Sequence, residues 1–241
     1  MLLAAFWGFL ASSTLIVGAW VAYRFDVSDR TLGLVMGFGA GALISAVSFE
    51  LVEEALEDGG TVLLTIGLAA GSLVYFVADL LVDRAGGAER KRLVSDQAGS
   101  GKAIAVGAAL DGIPESVILG VSLIGGGTVS LSFLAAVVIS NVPEGVASAA
   151  SFARAGRPPR VIVRVFLLIA LACGAAAAIG YAAFDSLAPE ALAVVRSFAA
   201  GALLTMTMDS MAPEAFRDAG PLSGLMAVAG FELAFLLSKT G

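Results

Sequence analysis

The chain is a succession of apolar runs, each about as long as the roughly 20 residues one helix needs to cross a bilayer's hydrocarbon layer. Read between clusters of charge, Gly and Pro, the runs cover 2–23, 31–55, 61–82, 102–124, 128–153, 161–184, 190–215 and 219–238. Hydrophobic residues make up 59% of the 241 positions and charged residues 14%, whereas soluble domains carry about 25% charge. The expected fold is therefore an all-α membrane protein with eight transmembrane helices, formed as a single domain over residues 1–241. The first run is not read as a signal peptide: no Lys or Arg precedes Arg24, the run is too long, and no small-residue cleavage site follows. One Cys and no His exclude a disulfide framework and zinc-finger or His-triad chemistry. The net charge of -6 is spread too evenly to suggest nucleic acid as a partner.

Orientation follows from the basic residues, which resist translocation. Arg24 and Arg30 follow the first run; Arg84, Arg90, Lys91, Arg92 and Lys102 the third; Arg154, Arg157, Arg160 and Arg164 the fifth; and Arg217 the seventh. Only Arg196 and Lys239 fall on the other side. The four odd connectors are thus expected in the cytoplasm and both termini outside it.

Two internal echoes add to this. Gly37-Phe38-Gly39-Ala40-Gly41-Ala42-Leu43, ending at Glu54-Ala55, returns 160 positions later as Ser197-Phe198-Ala199-Ala200-Gly201-Ala202-Leu203, ending at Glu214-Ala215. Asp111-Gly112-Ile113-Pro114-Glu115 returns 29 positions later as Ser140-Asn141-Val142-Pro143-Glu144. Helix two thus pairs with helix seven and helix four with helix five, and the members of each pair run in opposite directions. Inverted repeats of this kind are common in secondary transporters, whose binding sites lie at the repeat interface.

Acidic residues inside the apolar runs are the chemically informative feature: Glu50, Asp111, Glu115, Glu144, Asp209 and Glu232. An Asp at a helix centre costs about 2.5–3.5 kcal/mol on insertion scales, and Glu is taken to be similar. The basic residues all sit in connectors or near helix ends, so these carboxylates must be protonated, hydrated or holding an imported cation. The third option fits helices four and five, where Asp111 and Glu115, and Ser140 and Glu144, are four apart and share a helix face. Pro114 and Pro143 each kink the helix and release the carbonyl four residues earlier, at Leu110 and Ile139. At membrane depth a freed carbonyl is tolerated where it lines a cavity or binds an ion. The alternative is a kink that only shapes packing beside a protonated Glu.

The paired segments Asp111 to Ser116 and Ser140 to Gly145 resemble the signature helices of the ZIP (Zrt/Irt-like) divalent-metal transporters. Ala11-Ser12-Ser13-Thr14-Leu15 and the Gly/Ala-rich starts and Glu-Ala ends of helices two and seven resemble that family too. The resemblance covers nearly the whole chain. It implies eight helices in a 3+2+3 arrangement, a metal site between helices four and five, outward-facing termini, and homodimers that move their substrate by an elevator-like shift. Carried over by position, the main site is Asp111, where His is usual, with Glu115, Ser140 and Glu144. A companion site draws on Glu115, Asn141 and Glu144 but meets Gly112 where Asn is common, and helix six offers no carboxylate. One main site is therefore expected. Oxygen donors suit harder ions such as Mn²⁺ or Mg²⁺, while carboxylates also bind Zn²⁺. The family's His-rich cytoplasmic loop is missing, since the connector from Asp83 to Gly101 has no His.

Glu50 and Asp209 lie at similar depths on the repeat-related helices and form a candidate transport pathway; the alternative is a carboxylate hydrogen-bonded to a neighbouring Ser or Thr. Glu53, Glu54, Glu57 and Asp58 form an acidic outside connector with no basic residue in it. Met206, Met208, Met211 and Cys173 read as core packing, and Glu232 has no assigned role. The expected function is divalent-cation transport into the cytoplasm across the plasma membrane, with Zn, Mn or Fe as substrate and no separate cofactor. The alternatives are a transport-inactive metal-binding sensor or scaffold, or a proton-coupled carrier of another solute. An enzyme is not expected, because the sequence has no nucleophile beside a base and no nucleotide-binding loop.

Overall fold

A computed structural model describes residues 1–84, 101–124, 127–154 and 156–240. The basic connector holding Arg90, Lys91 and Arg92 lies outside the described residues. The described chain is helical throughout, without strands: α1 (Leu2–Arg24), α2 (Asp29–Ala46), α3 (Glu53–Arg84), α4 (Gly101–Val121), α5 (Leu131–Arg154), α6 (Pro159–Phe184), α7 (Pro189–Met206), α8 (Ala212–Ala219) and α9 (Leu222–Thr240). Among the described residues, six helical stretches are long and apolar enough to cross a membrane. Helices suit this composition because hydrocarbon offers no partner to a backbone N–H or C=O, and a helix satisfies both internally. Local signals set several starts: the Ser28 hydroxyl accepts from the Thr31 amide at 3.1 Å ahead of α2, and Pro159 and Pro189 occupy the first turns of α6 and α7.

Helix α2 runs without a break through a wider π turn, Val47–Val52, into α3. A straight rod over the whole of Asp29–Val82 would be about 80 Å long at 1.5 Å per residue, far more than a bilayer's hydrocarbon layer. Gly60, at φ 67° and ψ 178°, breaks it. The charged stretch around Glu53 to Asp58, expected as a connector, is therefore helical, and the kink falls at the glycine. The second half repeats this design: α7 passes through a π turn at Thr207–Met211 into α8, and Gly220, at φ 62°, separates α8 from α9. Both the π turns and the two glycines are 160 positions apart, the spacing of the sequence echo.

Packing obeys the same relation. The most extensive contacts are α3 with α7 and α2 with α9, then α1 with α6, α1 with α5 and α4 with α6. Exchanging α1 with α6, α2 with α7, the far part of α3 with α9, and α4 with α5 leaves that set unchanged. Several of the tightest approaches come in matched pairs. A Cβ on Gly41 would strike the carbonyl oxygen of Ala227, and one on Gly201 that of Leu68. Gly230 faces the Phe38 carbonyl as Gly71 faces that of Phe198. Small residues let helices approach closely where lipid supplies no hydrophobic drive for association, and Ala accounts for much of the core. Large apolar side chains such as Leu73, Leu168, Ile179 and Leu225 are exposed around the outside, as expected of a surface facing lipid.

Candidate metal centre

Pro114 and Pro143 lie inside α4 and α5, each one residue before a glutamate. Glu115 is only 2% exposed, and the acidic groups acting on it are Glu144 and Asp111. Asp111 and Glu144 are half-buried, and Ser140 and Asn141 are buried. Glu144 on α5 and Asp111 on α4 thus lie near enough to act electrostatically on Glu115, while Asp111 also meets α3 through Tyr75. The three carboxylates are not a finished coordination shell: among the described residues no three Asp, Glu or Cys groups are arranged to hold a metal ion together.

Neighbouring elements fix several of these side chains. The Ser140 hydroxyl donates to the Val137 carbonyl at 3.0 Å, within its own helix. The Asn141 amide donates to the Ala11 carbonyl at 3.2 Å, tying α5 to the Ala-Ser-Ser-Thr stretch of α1. Ser12 on α1 meets Ser116 on α4 at 3.5 Å. Cys173 of α6 is fully buried, as the core reading expects. A Cβ on Gly112 would lie 3.1 Å from its Sγ, so where the resemblance leads one to expect Asn, the neighbouring space is taken by a thiol. The Tyr75 phenol donates to Asp111 Oδ1 at 2.6 Å. The sequence reading passed over Tyr75 and the buried Asp79 one turn further along α3. The available signal was a Tyr and an Asp four apart inside an apolar run.

Glu50 sits in the first π turn and accepts a hydrogen bond from Ser132 at the start of α5. It lines a cavity of about 930 Å³ with Glu54, Glu57, Asp58 and Arg196, and Leu51, Ile118 and Phe133 also line it. These three apolar side chains are almost fully buried, and Ile118 lies about one helical turn beyond Glu115. The acidic stretch is not without a basic partner, as its own sequence suggested. Arg196 reaches across from α7 to Glu54 at 3.1 Å and Asp58 at 2.5 Å. Asp209 lies in the second π turn and is exposed on the protein surface, as is Glu232 on α9. Met206 and Met211 pack in the core, while Met208 is exposed.

No protein-family model matches the chain. The chain is similar to an Arabidopsis thaliana protein described as a putative zinc transporter, at 26% identity over 209 residues. The aligned region is 85% of this chain and 33% of that protein, so the chain spans about a third of its relative's length. This similarity agrees with the ZIP resemblance carried by α4 and α5. The apolar helices and the relative together describe a multi-pass membrane protein.

Proposed function

We propose that the protein is a divalent-metal transporter of the ZIP kind. Eight crossings, with α2 and α7 each extended through a π turn, form a 3+2+3 arrangement of inverted repeats in the plasma membrane, with both ends outside the cytoplasm. The cation enters the 930 Å³ cavity past Glu50, crosses the layer of Leu51, Ile118 and Phe133, and is held by Asp111, Glu115 and Glu144, with Ser140 and Asn141 as neutral oxygen donors. Asp209 serves the opposite, cytoplasmic side. Zn²⁺, Mn²⁺ and Fe²⁺ are the substrates that suit a mainly oxygen donor set, and the functional unit is a homodimer.

One observation carries this reading: Glu115 is buried in the bundle with two further carboxylates as its acidic neighbours. Burying an ionised carboxylate costs several kcal/mol unless a counter-charge accompanies it, and a divalent cation neutralises two at once. An open, incomplete donor set also suits a carrier, which has to release what it binds.

The test is uptake of Zn²⁺, Mn²⁺ and Fe²⁺ into liposomes containing the purified protein, beside Glu115→Gln and Glu144→Gln. Uptake by the parent that is lost in both variants supports the proposal. Equal uptake by all three rejects the site, and binding without uptake rejects transport.

A further inference from the structure

We propose that Tyr75 is a positioning residue for the cation site, acting through Asp111; this rests on the reading of Asp111 as a ligand. Most of its stretch of α3 faces outward, with Leu73, Val74, Phe76 and Val77 all exposed. Tyr75 instead points into the protein and is 3% exposed. Its phenol ends on Asp111 Oδ1 at 2.6 Å. Helix α3 packs mainly on α7 and meets α4 over a short stretch only, so the bond is not a by-product of extended packing between the helices that carry it.

A buried phenol needs an acceptor, but a backbone carbonyl would meet that need. Here the acceptor is a carboxylate on the helix face that also carries Glu115. A donor on one oxygen restricts rotation of the carboxylate and sets the direction in which it meets a cation. Metal-binding carboxylates are commonly held by such outer partners, and losing one typically costs 10–100-fold in affinity. Tyr75 would therefore narrow the geometries that Asp111 offers, and Tyr75→Phe would widen them while keeping the ring that fills the core.

The experiment is a Mn²⁺ titration of the detergent-purified full chain, reading free Mn²⁺ by electron paramagnetic resonance. It covers the parent, Tyr75→Phe, Asp111→Asn and the double variant, with thermal unfolding as a folding control. Asp111→Asn keeps an acceptor oxygen for the phenol, so the α3–α4 contact survives in that background. The expected result is Mn²⁺ affinity at least about tenfold weaker in Tyr75→Phe at unchanged thermal stability, and a change under about twofold when the same substitution is made on Asp111→Asn. Parental affinity in Tyr75→Phe overturns the proposal. An equal loss in both backgrounds also overturns it, because the phenol would then act by a route other than Asp111. Parental affinity in Asp111→Asn removes the ligand reading itself, a failure distinct from the other two.

Discussion

Placing one methyl group at Gly41 tests the packing that holds the bundle together. An added Cβ would overlap the carbonyl oxygen of Ala227 and crowd its carbonyl carbon and Cα. All three are atoms of the α9 backbone, so no side chain can turn aside and the helix itself has to withdraw. Overpacking of this kind costs roughly 1–3 kcal/mol, and a backbone-on-backbone clash belongs near the upper figure. Replacing Gly by Ala inside a helix returns about 1 kcal/mol of helix propensity, which leaves Gly41→Ala about 2 kcal/mol less stable than the parent. Gly201→Ala should match it, because its Cβ meets the Leu68 carbonyl in the same way. Gly224 on α9 has nothing within 4 Å of its added Cβ, so Gly224→Ala should be neutral or up to about 1 kcal/mol more stable. The assay is reversible unfolding in mixed micelles with rising dodecyl sulfate, followed by helical circular dichroism. The crossings lie on different helix pairs, so the double variant should show the sum of the single effects. If Gly41→Ala and Gly201→Ala unfold at the same point as Gly224→Ala, the close-approach argument is wrong.

Gly60→Ala and Gly220→Ala have open space for the methyl but a backbone conformation essentially reserved for glycine; each should lose about 1–3 kcal/mol from strain alone, measured in the same assay. Arg196→Gln should cost under about 1 kcal/mol of stability, since Glu54 and Asp58 are 49% and 36% exposed and water screens both pairs. Because Arg196 lines the cavity and its positive charge opposes cation entry, the same variant should raise the initial rate of cation uptake at low salt and lose that advantage as ionic strength increases; a rate that is unchanged at low salt would show that the guanidinium does not repel the incoming cation. A divalent substrate at about 100 times its Kd should stabilise the parent by about 2.7 kcal/mol, read as a shift of the unfolding midpoint. Glu115→Gln should show no such shift, and chelator should remove it from the parent.

The lengths of the apolar runs were enough to show that the chain is helical, because about 20 residues is the length at which a helix crosses hydrocarbon while satisfying its own backbone; they did not show that the charged stretch from Glu53 to Asp58 continues the helix. The echo from Gly37-Phe38 to Ser197-Phe198 was also legible, and its partner features, the two π turns and Gly60 with Gly220, share its spacing. The direction each helix face points was not legible. A helix that is apolar all round carries no stripe to mark its buried side. This is why Glu50 and Asp209, placed alike by the sequence, separate into a cavity-lining residue and an exposed one. Long-range pairings were hidden for a related reason. Arg196 is 138 positions from Asp58, so no local pattern could reveal that the acidic stretch has a cation from another helix. The Tyr75 bond to Asp111 joins residues 36 positions apart and is hidden for the same reason.

The internal repeat has an energetic corollary. A chain whose halves repeat the same helix contacts, π turns and glycines has, for any arrangement of its helices, a counterpart in which the halves trade places, and to the extent that the backbones match, the two have the same energy. Whatever tilts that balance must reside where the copies differ chemically. Such positions are visible: Arg196 stands where the other copy has Met36, and Glu50 where the other has Ser210. These mismatched positions, not the matched glycines, are where the two halves differ in charge.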